Sequence, residues 1–204
     1  MRTANYFATA AVASIVALST SAFAAGTVGD DVIAAQRAAL AAATDGAGFG
    51  PQSPRDLDTL EGANARAFEE APHHTKMNLC NIHFHENAEH RGGDFTTYAD
   101  NGDGKGTGTG FKYNGTLTEA ELAPFGSKVC EGKYGDLEPG DTIEVHYVHS
   151  SAQITPGPTL GACLSDATMN PQLRVETQVF VLVNDDAAHD FVELAKHEVV
   201  DGYH

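Results

Sequence analysis

Three short runs carry the chemistry that can be read from this chain: His83-Phe84-His85, Glu89-His90 and Glu144-Val145-His146. On a β-strand, side chains alternate between faces, so His83 and His85 point the same way, as do Glu144 and His146. Two imidazoles at that spacing form half of a tetrahedral metal site. A third, His146 from a neighbouring strand, completes a three-nitrogen set and leaves one coordination position open. Three protein ligands plus water is the pattern of catalytic zinc, whereas structural zinc is closed by four ligands. A ligating imidazole usually donates its other N–H to a carboxylate or carbonyl, which fixes its tautomer. Glu144 is placed for that role beside His146. His149 has the opposite parity. It and His90, His189, His197 and His204 are read as surface or satisfied core histidines.

The elements that must hold these residues are mostly strands. Residues 76–85 read as the strand bearing the histidine pair, and Thr142–His149 as the β-branched strand bearing Glu144 and His146, entered through a turn at Glu138-Pro139-Gly140-Asp141. Leu173–Val183 is the strongest strand signal, and its near-continuous apolar end predicts burial on both faces. Residues 28–44 are alanine-rich, with no Gly or Pro between Gly29 and Gly46, which predicts a helix. The stretch Gly92–Gly110, rich in Gly, Asp and Thr, reads as a flexible surface loop rather than a calcium loop, because its spacing lacks the closing glutamate of an EF-hand. Phe191–Val200 fits helix or strand. The fold class expected is mainly β (α+β): a twisted, largely antiparallel sheet with a short N-terminal helix.

Composition bounds the surroundings. Met1-Arg2, the apolar run from Ala8 to Leu18 and Ala22-Phe23-Ala24 have the form of a secretory signal peptide over residues 1–24. The run is too short and too broken by Ser and Thr for a membrane anchor. Residues 25–204 then form one domain, exported to the periplasm or beyond. With 12 basic against 28 acidic residues, the formal charge is -16. Phosphate binding needs clustered Lys and Arg, so nucleic acid and anionic membranes are excluded as partners. The oligomeric state is not legible. An oxidising compartment favours a disulfide among Cys80, Cys130 and Cys163. Three pairings are open; on a continuous strand Cys80 faces away from the histidines and reads as a buried thiol, and Cys130–Cys163 is the expected bridge.

The same residues resemble a known family. His83-Phe84-His85, Ala88-Glu89-His90 and Ile143-Glu144-Val145-His146-Tyr147-Val148-His149 are similar to the zinc-site strands of α-class carbonic anhydrases. Gly50-Pro51-Gln52-Ser53-Pro54-Arg55-Asp56-Leu57 resembles a segment that precedes them in that class. The compact run Asn81–His90 and the run Leu173–Phe180 look closest to the δ-class enzymes and their bacterial relatives. The resemblance implies a fold like that of the α-class. It implies zinc on His83, His85 and His146, and reversible hydration of carbon dioxide to bicarbonate and a proton by a zinc-bound hydroxide. It makes Glu144 the acid behind the third ligand, and Glu89 the acid that orients a hydroxyl beside the nucleophile. The family's hydroxyl belongs to a T-T-P loop; here the loop reads Asp166-Ala167-Thr168-Met169-Asn170-Pro171, which makes Thr168 the candidate. Gln178 stands where the family has an aromatic residue near the substrate. His73 or His74 is available as a proton carrier, since imidazole titrates near neutral pH.

Two other readings compete. His83-x-His85 with Glu89, and Pro139-Gly140-Asp141 before His146, also resemble the two motifs of a cupin. That would make Glu89 a fourth ligand to iron or manganese in an oxygenase or isomerase barrel. A non-catalytic exported metal-binding protein would close its site around the ion.

Overall fold

The computed structural model describes residues 27–45, 70–132 and 135–204. The leader expected at residues 1–24 and the Gly50–Leu57 segment lie outside the described residues. Among the described residues, seven strands and two α-helices follow in order: α1 (Asp30–Thr44), β1 (Asn78–Glu86), β2 (Phe95–Asn101), β3 (Thr109–Tyr113), β4 (Val129–Gly132), β5 (Gly135–Leu137), β6 (Thr142–Ser150), β7 (Leu173–Val181) and α2 (Phe191–Leu194). All strand pairing is antiparallel: a three-stranded sheet in the order β1-β6-β7, and two ribbons, β2-β3 and β4-β5. Among the described residues this open sheet with separate ribbons does not form the closed barrel of a cupin.

The central strand is β6. Its β-branched and aromatic residues pair along the whole of both neighbours, and Ile143, Val145 and Val148 are buried. β7 differs from its sequence reading. It lies at the sheet edge among the described residues; its apolar end, residues 179–183, is half-buried rather than buried on both faces, and Leu173 and Val175 at its start are 50% and 52% exposed. Its apolar run serves pairing with β6, and period alone does not distinguish an edge from a centre.

Gly92–Gly110 also departs from its reading as a flexible loop. It contains β2 and the start of β3. The connecting turn is closed by Asp103 Oδ1, which accepts the backbone N–H groups of Lys105 and Thr107 at 2.7 and 3.1 Å. The turn also docks α1: Val28 N–H donates to Gly102 O at 2.9 Å, Gln36 Nε2 to Gly104 O at 2.8 Å, and Asn101 Nδ2 to Asp30 Oδ1 at 2.7 Å. Asp30 and Asp31 sit in the first turn of α1, where carboxylates oppose the helix dipole favourably. Among the described residues no helix is long and apolar enough to cross a membrane.

The disulfide joins Cys80 to Cys163, and Cys130 is a free, exposed thiol. The expected Cys130–Cys163 bridge is therefore wrong. The parity argument failed because β1 carries a bulge between Leu79 and Asn81, where the pairing to β6 shifts by one residue. An extra residue resets the alternation of faces. Cys80 thus packs with Val148 and Cys163 in a buried cluster against Ile154.

Candidate metal centre

Strand register brings the three histidines together. His83 lies directly opposite His146, and His85 opposite Glu144. Residues opposite one another in an antiparallel pair share a face, so all four side chains project from one side of the sheet. Ring centroids are 5.3 Å apart for His83–His85, 5.0 Å for His83–His146 and 4.9 Å for His85–His146. One ring nitrogen from each lies within 4.8 Å of the other two. Three imidazoles on one tetrahedral ion at ~2.0–2.1 Å have ring centres roughly 5 Å apart. The donor set could therefore hold a single tetrahedral metal ion.

The partners of these rings decide which nitrogens are available. His83 Nδ1 lies 2.6 Å from Asn81 Oδ1, an acceptor, so Nδ1 carries the hydrogen and Nε2 keeps its lone pair. His146 Nε2 donates to Glu144 Oε1 at 2.9 Å, which leaves Nδ1. His85 Nδ1 faces Glu89 Oε1 at 3.8 Å. The His83 imidazole is held below its usual pKa by burial, and by the neighbouring His146 and His85 against a smaller opposing pull from Glu89. It is a neutral donor, as a ligand must be.

Glu144 anchors the arrangement. Its side chain is fully buried. Burial alone would raise its pKa. Hydrogen bonds from His90 Nδ1, His146 Nε2 and the backbone N–H of Glu89, together with charge on His90, overcome that and bring it to about 2. Glu89 reaches this place through a sharp turn. Asn87 adopts a left-handed φ of 64° and donates its N–H to Thr142 O at 2.7 Å; Ala88 then exchanges two backbone bonds of 2.8 Å with Phe111 of β3. Gly110 permits that contact, since a Cβ there would stand 2.5 Å from Ala88 O. The Gly-rich ribbon thus holds the segment that carries Glu89 and His90.

Glu89 does not join the three-imidazole set. Its carboxylate groups instead with His90 and Glu144, and it lies 3.9 Å from His146 Nε2, the nitrogen already engaged by Glu144. A fourth-ligand role, which the cupin reading requires, is not supported by that placement. Thr168 stands in a separate turn, where Ser165 and Thr168 exchange backbone bonds of 3.2 and 3.0 Å just beyond Cys163. Gln178 lies opposite Val145, on the face away from the histidines, and Thr177 lies opposite His146.

Two residues were missed. Asn81 shares the parity of His83 and His85, a signal that extending the strand reading by one step would have used. His90, read as an ordinary surface or core histidine, donates to Glu144 at 3.3 Å. His73 packs on His74, with ring centroids 4.3 Å apart. His74 contacts Glu176 at 3.6 Å and the His149 ring at 6.1 Å, both on the opposite face of the sheet.

Residues 74–204 match the family model described as Delta carbonic anhydrase. No curated protein and no solved structure matches the chain.

Proposed function

The chain belongs to the delta carbonic anhydrase family, and from that premise we propose that it is a zinc-dependent lyase interconverting carbon dioxide and bicarbonate. The observation that carries this reading is the set of three imidazoles on one sheet face, with the spare nitrogens of two of them committed to Asn81 and Glu144. A zinc ion bound there would supply Lewis acidity, making hydroxide available as a nucleophile near neutral pH by lowering a water pKa from ~15.7 to ~7.

The chain's own residues do the rest. His83, His85 and His146 would hold the ion through one ring nitrogen each. Glu144 fixes the His146 ring and its tautomer. Glu89, beside the triad and outside it, accepts from a hydroxyl that in turn orients the nucleophile toward carbon dioxide. Thr168 is the proposed hydroxyl; the disulfide from Cys163 to Cys80 tethers its turn to the strand that bears the first two histidines. Export through a leader at residues 1–24 is part of the same reading, and a disulfide is in keeping with an oxidising compartment.

Stopped-flow carbon dioxide hydration by zinc-loaded protein, with metal content measured on the same sample, tests the proposal. Stoichiometric zinc with no hydration above buffer would leave a metal-binding protein without this activity. Iron or manganese retained in preference to zinc would favour oxygenase chemistry.

A further inference from the structure

Asn81 is buried, and its amide makes two directional contacts. Nδ2 donates to the carbonyl of Gly157 at 2.9 Å, and Oδ1 lies 2.6 Å from His83 Nδ1. A carbonyl can only accept, so the amide must present its NH₂ to Gly157 and its oxygen to His83. An oxygen at hydrogen-bond distance requires the hydrogen of His83 on Nδ1 and leaves the lone pair on Nε2. A backbone carbonyl 76 residues beyond Asn81 therefore dictates which nitrogen of His83 is free.

Gly157 is itself fixed. Its N–H donates to Cys80 O at 3.0 Å. The chain then runs through a short 3-10 turn at Leu160–Cys163 to the Cys80–Cys163 disulfide, while Ser150 Oγ holds Cys163 O at 2.7 Å. The loop closes so tightly that a Cβ at Gly157 would stand 2.8 Å from that of Ala162. Cys80, Asn81 and His83 are near neighbours on β1, with the bulge at Cys80 between the bridge and the ligand.

We propose that the Cys80–Cys163 disulfide, acting through Gly157 and Asn81, sets the tautomer of His83 and so makes metal affinity depend on the redox state of the bridge. Asn81 is the positioning residue in this relay. The inference rests on the metal-centre reading of His83. A dithiol reductant supplies two electrons and two protons; the S–S bond breaks, two cysteine thiols form, and the reductant becomes a disulfide. Without the bridge, nothing covalent holds the Gly157 carbonyl over Asn81. The amide can then turn its NH₂ toward His83, which stabilises the tautomer with its lone pair on Nδ1 and its hydrogen on Nε2.

The test uses the full chain labelled with ¹⁵N-histidine. Ring-nitrogen shifts of His83 are read in metal-free protein, and zinc affinity by competition with a chelator, before and after dithiothreitol. The oxidised wild type is expected to show hydrogen on Nδ1. Reduction is expected to shift the population toward hydrogen on Nε2 and to weaken zinc binding ~10–100-fold, the usual cost of losing a ligand's hydrogen-bond partner. Asn81→Leu, which keeps the disulfide, is expected to lose a similar factor while oxidised and little more on reduction. An oxidised Asn81→Leu protein with wild-type affinity and tautomer overturns the relay. So does a full further loss when that variant is reduced, since the bridge would then act through general stability. If the oxidised wild type binds no zinc, the metal-centre reading falls, and the His83 ring shifts before and after reduction still decide the relay.

Discussion

Two groups of histidines lie on opposite faces of the sheet formed by β1, β6 and β7. On one face His83, His85 and His146 have ring centroids 4.9 to 5.3 Å apart, and two of the rings have a spare N–H committed to an acceptor. On the other, His74 and His149 stand 6.1 Å apart. The carboxylate available there, Glu176, is engaged by Arg174 Nε at 2.8 Å. That guanidinium occupies an oxygen an ion would need and adds positive charge beside it. His149 Nδ1 is buried with no hydrogen-bond partner. The number of imidazoles is thus a poor guide to a metal centre. What separates the faces is register, which brings three rings to ligand spacing, and buried acceptors, which decide where each lone pair points.

The comparison breaks most directly through the ligands. His146→Ala should abolish retention of zinc through gel filtration, whereas His149→Ala, on the opposite face, should retain one ion per chain. Equal retention by both variants would remove His146 from the site. The acceptors sharpen the same contrast on a smaller scale. Glu144→Gln should weaken zinc binding ~10–100-fold, read by chelator competition, while Glu176→Gln should leave it unchanged. Glu89→Gln should keep the metal and chiefly lower turnover, because its carboxylate lies outside the imidazole set. Loss of zinc in that variant as complete as in His146→Ala would make Glu89 a ligand and revive the cupin reading.

Much of the metal face was legible because its signals are local. A period of two places His83 with His85 and Glu144 with His146, and β-branched residues mark β6 as a strand. What the sequence did not show depends on contacts between distant segments. The bulge at Cys80 inverted the parity used for the disulfide, and a bulge leaves no mark in a run such as Asn78-Leu79-Cys80-Asn81. The ribbon β2-β3 was obscured by its glycines. These read as flexibility, yet Gly110 is needed for the approach to Ala88 that holds Glu89 in place. His90 and His149 were given one reading by elimination, and the fold separated them: one donates to the buried Glu144, the other packs beside Arg174 and Glu176.

The opposite face still has a measurable consequence, smaller than those above. Burial holds the His149 imidazole below its ordinary value of 6.5; His74 and Arg174 push the same way, and Glu176 opposes them. With a folded pKa below the unfolded one, the unfolded chain takes up the proton more readily. The contribution to stability is then complete above about pH 6.5 and declines as the pH falls through and below that value. His149→Gln removes this proton while leaving the other acid-titrating groups in place, so the difference between the two proteins isolates it. Urea denaturation of metal-free protein from pH 7.5 to 5 should show wild-type stability falling faster than that of the variant. The difference in slope should stay below ~1.4 kcal/mol per pH unit, the limit for one proton. Parallel curves would mean that His149 charges in the folded protein as easily as in the unfolded chain, and that this cluster, unlike the metal face, places no constraint on protonation.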